Sequence, residues 1–255
     1  MRRVCTLIAG IDPHSSVPVL LIGVRDEFLD RPWRAPGRHW PRRPELVGGQ
    51  DLQAEGTWLA VHPGAPRAAC ILNGHGSLAD DSRRRSRGEL PLRLAAEGEL
   101  GDIDPAEYDP FHLLCATPDA TRLWSWNGEK LTERGLGAGL HLVVNSGLEA
   151  ADDDEGPGAE ELRARVAHLR PLLQQAHRPE PRSGTTQAAW GEWFPYAVGG
   201  GLDASDPRAL VVRRALGERG WGTSSISLVA LTRDGARYDF CADPTARPPV
   251  WTTVT

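Results

Sequence analysis

Short runs of branched and aliphatic side chains, separated by turn residues, recur along the first quarter of the chain. The runs Val4–Gly10 and Pro18–Val24 flank a polar turn segment, so they predict a β-hairpin. The runs Thr57–His62 and Ala68–Leu72 are joined by a turn rich in proline and glycine, and they predict a second hairpin. We therefore expect antiparallel sheet in this part of the chain.

More strands are expected in the middle and at the end of the chain. Five apolar runs predict them: Phe111–Ala116, Arg122–Trp126, Leu140–Val144, Ser225–Leu231 and Ala236–Phe240. Asn127-Gly128 is a strong turn signal between two strands, and Asp234-Gly235 joins the last two runs as a hairpin.

Helices are predicted between the two sets of hairpins. Ala159–Gln175 has the clearest helical spacing of apolar residues, and Glu89–Ala96 is a shorter helix-like stretch after a basic cluster, Arg83–Arg87, which we interpret as a solvated loop. Pro207–Gly217 also predicts a helix, because proline suits a first turn and glycine an end. Residues 31–50 contain several prolines and a Gly-Gly pair and predict a loop over one sheet edge.

Hairpins at both ends with helices between them predict an α+β layered domain, and we expect one domain over residues 1–255, with an acidic linker at Asp152–Gly158. Hydrophobic residues make up 40% and charged residues 25%, as in folded globular proteins. The net charge of -5 offers no basic surface for nucleic acid. The longest apolar run, Val17–Val24, is shorter than the ~20 residues of a membrane span. We expect no secretion, because Asp12 ends the first apolar stretch too early for a signal peptide. We expect a cytoplasmic protein.

The four cysteines, Cys5, Cys70, Cys115 and Cys241, are far apart in the sequence. They lack the paired spacing of zinc sites and redox motifs, and none of the eight histidines has metal-ligand spacing. We therefore expect reduced thiols, no metal and no cofactor.

Several motifs coincide with the predicted strand ends. They are Cys5 at the head of the first strand, Gly23-Val24-Arg25-Asp26-Glu27 after the second, Gly48-Gly49-Gln50-Asp51, Gly56-Thr57-Trp58-Leu59, and Asn73 after the next strand. This combination resembles the NRDE family, which includes transport and Golgi organisation protein 2. Weaker matches follow at Arg87-Gly88-Glu89-Leu90, Asn145-Ser146 and Gly222-Thr223-Ser224-Ser225. Two departures are Val24, in place of the asparagine that names the family, and Ser224, where many relatives carry arginine.

The resemblance implies the four-layer αββα fold of N-terminal-nucleophile amidohydrolases, with two antiparallel sheets and Cys5 as nucleophile. A free N-terminal cysteine carries its own base, because an α-amine of pKa ~8 can take the proton of a thiol of pKa ~8.5. Arg25 would lie beside the sulfur and lower the thiol pKa. Either Asp26 or Glu27 would orient the amine, and we favour Asp26 for this role.

The remaining candidate residues would act on the substrate. Asn73 would donate its amide N–H to a developing oxyanion, an interaction worth roughly 3 kcal/mol, and Asn145 would orient the substrate or assist that donor. We assign Glu27, Trp58 and Ser224 to substrate binding. The predicted reaction is acyl transfer from a small amide to Cys5 and then to water or an amine.

Two other interpretations stay open. Relatives have been linked to haem handling and to lipid or acyl-CoA homeostasis, so the chain is alternatively a non-catalytic carrier of haem, lipid or acyl-CoA. In a purely structural interpretation Cys5 is a core residue, and Arg25, Asp26 and Glu27 form an ion-pair cluster that pins the loop at residues 30–32. The identity of the substrate and the oligomeric state do not follow from the sequence.

Met1, Arg2, Arg3 and Val4 precede Cys5, and an amide nitrogen cannot act as a base. Translation starting at the position of Val4, followed by removal of the initiator, would leave Cys5 first. Such starts are common in high-GC bacteria, a source that the single lysine, Lys130, also suggests. Autoproteolysis before Cys5 is a second route, and a chain that keeps its first four residues without amidase activity is the third possibility.

Overall fold

A computed structural model describes residues 5–150 and 158–255, in which fifteen strands form two antiparallel sheets. The strands are β1 (Thr6–Ile11), β2 (Val19–Phe28), β3 (Trp33–Gly37), β4 (Val47–Asp51), β5 (Leu59–His62), β6 (Arg67–Asn73), β7 (Phe111–Ala116), β8 (Thr121–Trp126), β9 (Leu131–Leu136), β10 (Gly139–Val144), β11 (Gly147–Leu148), β12 (Arg213–Leu216), β13 (Arg219–Leu231), β14 (Ala236–Cys241) and β15 (Trp251–Thr253). The helices are α1 (Glu89–Glu97), α2 (Ala159–Gln175), α3 (Thr186–Trp190) and α4 (Phe194–Ala197), with 3₁₀ turns at Pro105–Glu107 and Gly191–Trp193.

The first sheet has the strand order β11-β10-β1-β2-β13-β14-β15, with β12 paired to β13, and the second runs sequentially from β3 to β9. In the first sheet β1 lies between β10 and β2, because Thr6 pairs with Val144 on one side and Val24 on the other. Cys5, one residue earlier, therefore lies beside Arg25 of β2 and next to the end of β10.

Three apolar clusters define four layers. Helices α2, α3 and α4 pack on the outer face of the first sheet through Leu162, Trp190 and their neighbours. The inner faces of the two sheets pack against each other around Leu7 and Leu114. Helix α1 covers the outer face of the second sheet. This αββα arrangement of antiparallel sheets confirms the expected fold class.

Most predicted elements are confirmed, but the helix predicted over Pro207–Gly217 is wrong. Its second half is β12, and residues 207–212 are irregular. All four residues 209–212 are buried, which a helix with one apolar stripe would not achieve. Val212 is also tied to β13, because its N–H donates to the hydroxyl of Thr223. Gly217 makes the turn of the β12–β13 hairpin at a φ of 61°.

The loop predicted over residues 31–50 is wrong in part, since it contains β3 and β4. Proline is tolerated in β3 because this strand is the edge of its sheet. Strand β9 had no apolar pattern because residues 132–135 are exposed, yet Asn127-Gly128 makes the predicted turn, between β8 and β9. The predicted linker at residues 152–158 lies outside the described residues except for Gly158.

A buried carboxylate at the far side of the first sheet holds the C-terminal strand and the outer helices together. Asp239 has no exposed surface and accepts hydrogen bonds from Trp190, Arg237 and Thr253. Thr186 of α3 donates a further bond to it. Because every lone pair of this carboxylate has a donor nearby, the charge is stabilised despite its burial.

We predict that Asp239→Ala lowers the free energy of unfolding by about 3–5 kcal/mol, because Arg237 would keep a buried charge without its partner. The measurement is urea denaturation followed by circular dichroism. Asp234→Ala, at an exposed turn of the same hairpin, is the control and should change stability by less than about 0.5 kcal/mol. Equal effects of both variants would contradict this account of the network.

Candidate active site

Cys5 lies half-buried at the head of β1, on the wall of a cleft of about 370 Å³. The backbone N–H of Asp26 donates to Cys5 Sγ at 3.4 Å, and the thiol lies 3.4 Å from the Asp26 carbonyl oxygen. The cleft is lined by Cys5, Arg25, Asp26, Glu27, Arg31, Asp51, Ala54, Gly56, Thr57, Trp58, Ile71, Asn73, Arg84, Arg85, Ser86, Arg87, Gly88 and Asp109. Most of these residues are polar or charged.

The thiol of Cys5 is held in its neutral form. Burial, and next the charge of Asp26, raise the pKa of Cys5 to about 12, and the nearby charge of Arg25 lowers it only slightly. Arg25 therefore acts on the thiol pKa in the expected direction, but desolvation outweighs its single positive charge. A reactive thiolate at neutral pH requires a base that takes the proton at the moment of attack.

Asp26 points to the helix side of the sheet, opposite to the side chains of Cys5 and Arg25, as alternation along β2 requires. Its Oδ1 accepts a 2.6 Å hydrogen bond from Thr223, and its Oδ2 lies 3.7 Å from Arg165 Nη1 of α2. Burial raises the pKa of Asp26 to about 7, while the charge of Arg165 opposes that rise. This carboxyl group changes charge near neutral pH.

Arg25 is buried and lies at the centre of an ion-pair cluster in the cleft. Its guanidinium donates to Asp51 at 3.3 Å and to the hydroxyl of Ser224 at 3.0 Å, and it stacks 4.5 Å from the Trp58 ring. Arg31 joins the cluster through a 2.6 Å bond to Asp51. Arg25 therefore belongs to an ion-pair cluster that also holds Arg31 of the following loop, as the structural interpretation of these residues expects. Asp26 is not part of this cluster.

Ser224 contacts Arg25 because β13 contains a β-bulge at this point. Thr223 pairs with Asp26 and Ser225 with Arg25, so Ser224 is the extra residue between them. The bulge directs two consecutive hydroxyls to two consecutive residues of β2, Thr223 to the carboxylate and Ser224 to the guanidinium. Ser224 thus accepts a hydrogen bond from the Arg25 guanidinium but does not itself line the cleft.

The glycine motifs make room for the cleft wall. A Cβ at Gly49 would meet the Trp58 ring at 2.2 Å, and one at Gly56 would meet the backbone of Gly88 at 2.4 Å. The Thr57 N–H donates to the Gly88 carbonyl at 2.9 Å, which fixes this approach. The motif glycines therefore serve close packing, and Gly49 allows the tryptophan to lie under Arg25.

Two asparagines connect the sheets beside Cys5. Asn145 follows β10, is fully buried, and donates its side-chain N–H to the backbone carbonyl of Asn73 at 2.7 Å. The backbone carbonyl oxygen of Asn145 lies 3.2 Å from His112 Nε2. Asn73 lines the cleft at the end of β6, whereas Asn145 reaches the cleft only through Asn73.

The structure brings six of the predicted site residues to one cleft, namely Cys5, Arg25, Asp26, Glu27, Asn73 and Trp58. It also adds residues that the sequence analysis missed. Arg84, Arg85 and Arg87, which were interpreted as part of a solvated loop, also line the cleft. Arg165 was missed as well, although an arginine within the apolar stripe of α2 was a usable signal.

No metal or membrane element is evident in the described part of the chain. Over residues 5–150 and 158–255, no three histidine, cysteine or acidic side chains are grouped as metal ligands. Within the same ranges, no helix has the length and apolar character that crossing a membrane requires.

Comparison with solved structures defines the class of the fold. A mutant conjugated bile acid hydrolase from Clostridium perfringens matches with a TM-score of 0.55 at 11% identity, over 98% of this chain and 92% of that one. A Caenorhabditis elegans N-acylethanolamine-hydrolyzing acid amidase ortholog gives a TM-score of 0.48 at 10% identity, over 91% and 98%. The bile acid hydrolase shows that the chain has the fold of the N-terminal-nucleophile hydrolases.

The family follows from the sequence. Residues 4–180 match the family model described as Transport and Golgi organisation 2, which covers more than half of the chain. The protein therefore belongs to the Transport and Golgi organisation 2 family, as its motifs indicate. A comparison with curated proteins found no match.

The buried carboxyl of Asp26 predicts a distinctive pH dependence of stability. Its folded pKa of about 7 lies above the unfolded value, so the folded state keeps a proton that the unfolded state has released. Stability should fall as the pH rises from about 4 through 7, by on the order of a few kcal/mol, and Asp26→Asn should remove this fall. The measurement is urea denaturation at a series of pH values. Asp81→Asn, at a largely exposed site, is the control, and a wild-type slope in Asp26→Asn would contradict the prediction.

Proposed function

We propose that this protein is an N-terminal-cysteine amidohydrolase or acyltransferase that acts on a small, polar acyl amide. The observation that supports it most is a pair of buried oxygens on the two strands that flank Cys5. Asp26 Oδ2 and Asn145 Oδ1 accept no hydrogen bond within 3.5 Å from any described residue, although Arg165 forms an ion pair with Asp26 Oδ2 at 3.7 Å. Buried acceptors left unpaired are costly. The free α-amine of an N-terminal Cys5 has two N–H groups and would supply the donors that both oxygens lack.

The amine is also the base that the thiol needs. With a thiol pKa of about 12, Cys5 forms almost no thiolate on its own at neutral pH. When residues 1–4 have been removed, the α-amine of pKa ~8 takes the thiol proton as Sγ attacks the amide carbon. The carboxylate of Asp26 stabilises the ammonium group that forms.

The remaining steps follow from the cleft residues. Attack on the amide carbon gives a tetrahedral intermediate, whose oxyanion receives a hydrogen bond from the side-chain amide of Asn73. The ammonium group of Cys5 returns its proton to the leaving amine, the C–N bond breaks, and an acyl thioester remains on Sγ. Water or a second amine then attacks the thioester, and the proton that it loses passes through the same amine to restore the thiol.

The lining of the cleft supports a polar substrate over the alternative of an apolar ligand. Haem and long acyl chains are bound in sites lined mainly by apolar side chains. Here five arginines and three acidic residues line about 370 Å³, leaving out Asp26, whose carboxyl group points to the helix side, and the apolar contribution comes mainly from Trp58, Ile71 and Ala54. Carriage of haem, lipid or acyl-CoA stays a prediction that binding measurements would have to support.

We predict that Cys5→Ala abolishes hydrolysis of acyl amides, with a loss of at least about a thousandfold in kcat, because no other group replaces a covalent nucleophile. The measurement is amine release from a panel of short acyl amides by protein whose chain begins at Cys5. Cys241→Ala, at a buried thiol within the helix-side cluster of the first sheet, is the matched control and should retain activity.

Full activity in Cys5→Ala would contradict the proposal. A wild-type protein that begins at Cys5 and cleaves no amide, yet gives a shifted absorption band with micromolar haem, would favour the carrier function instead.

A further inference from the structure

Helix α2 carries an arginine inside its apolar stripe. Arg165 lies three residues after Leu162 and four before Leu169, so it points to the same face as both. Its side chain is only 1% exposed, and it is packed between the helix and the first sheet. Burying a guanidinium in an apolar layer is unfavourable unless the charge is matched.

Two residues next to the candidate nucleophile, Thr6 and Asp26, interact with the buried guanidinium of Arg165. Arg165 Nη1 donates to the hydroxyl of Thr6 at 2.9 Å, and Thr6 directly follows Cys5. The same nitrogen lies 3.7 Å from Asp26 Oδ2, while the Asp26 N–H donates to Cys5 Sγ. One buried cation therefore contacts β1 and β2 at the level of the thiol, from the side opposite to the cleft.

We propose that Arg165 is a positioning residue, whose buried charge allows Asp26 to be ionised beside Cys5 and whose hydrogen bond fixes Thr6 at the head of β1. One part of this inference rests on the proposed function, namely that the Asp26 carboxylate holds the α-ammonium group of Cys5. Its electrostatic part concerns Arg165 and Asp26 alone and can be tested without a substrate.

Other charges around Asp26 contribute less than Arg165. Arg214 of β12, which is paired with Glu161 of α2 at 2.9 Å, also lowers the pKa of Asp26, but its effect is smaller than that of Arg165. Arg25 and Glu27 belong to the same strand as Asp26 but point to the cleft side. From β13 the carboxylate meets the neutral hydroxyl of Thr223. From β1 the nearest titratable group is the thiol of Cys5, which is neutral and contacts only the backbone of Asp26.

The experiment follows the carboxyl carbon of Asp26 by NMR in the full chain labelled with ¹³C-aspartate, the signal being assigned by its loss in Asp26→Asn. Arg165→Gln keeps a donor for Thr6 and removes the charge, and Arg165→Met removes both. We expect both variants to raise the titration midpoint of Asp26 by about one pH unit or more, because an opposite charge at this range shifts an acid by 1–3 units. Arg165→Lys should keep the midpoint close to wild type.

The control is Arg163→Met, at an exposed position of the same helix, which should leave the midpoint unchanged. If Arg165→Met does not fold, the comparison of Arg165→Gln with Arg165→Lys decides the question. A midpoint in Arg165→Gln equal to wild type would overturn the inference.

A second readout separates positioning from a merely structural role. In a protein active on amides, the activity of Arg165→Gln should be about tenfold lower at pH 7 and recover towards wild type at pH 9, where Asp26 ionises again. An equal loss at every pH would overturn the positioning role. Complete inactivity of the wild type would count against the proposed function, whereas the shift in the Asp26 midpoint would be measured all the same.

Discussion

The burial of one carboxylate, Asp26, constrains much of the structure around the cleft. A charged group between a sheet and a helix layer must be matched, and here the match comes from α2 through Arg165 and from β13 through Thr223. The backbone N–H of the same residue contacts Cys5 Sγ. Asp26 therefore connects the outer helix layer, the centre of the first sheet and the candidate nucleophile. A change of charge or packing at any one of these parts alters the surroundings of the other two.

Each of the family motifs has its own physical role in this arrangement. Arg25 and Asp26 are neighbours in sequence but act on opposite faces of β2, one in the cleft and the other beneath the helices. Gly49 allows the Trp58 ring to lie under Arg25, and the bulge at Ser224 brings a hydroxyl to the same guanidinium. At this bulge the chain therefore has a short polar side chain that donates and accepts hydrogen bonds with Arg25 of the neighbouring strand.

Local pattern predicted much of the fold, because branched apolar runs and turn residues act over a few positions. The first hairpin, α2 and the C-terminal hairpin all appear where the sequence indicates them. The segment Pro207–Gly217 failed because its four consecutive buried residues satisfy tertiary packing, which no local pattern shows. Strand β3 was missed since an edge position tolerates its proline.

For the site, the family motifs indicated six of the residues that meet in the cleft but not which way they point. The roles of Asp26 and Arg165 depend on a contact between elements almost 140 residues apart, and the high thiol pKa depends on desolvation, which only packing determines. In the sequence, Arg165 is one arginine among many, and only its place in the apolar stripe sets it apart.

The central claim is that Cys5 presents an amine and a thiol together, with Asp26 beside them. The most direct test is the reaction of protein from the native gene, with its own upstream region, with 2-cyanobenzothiazole, which condenses with an N-terminal cysteine. Intact mass and N-terminal sequencing would identify the product. The account predicts a chain that begins at Cys5 and gains one adduct at that residue. A chain that retains residues 1–4 and gains no adduct would contradict it.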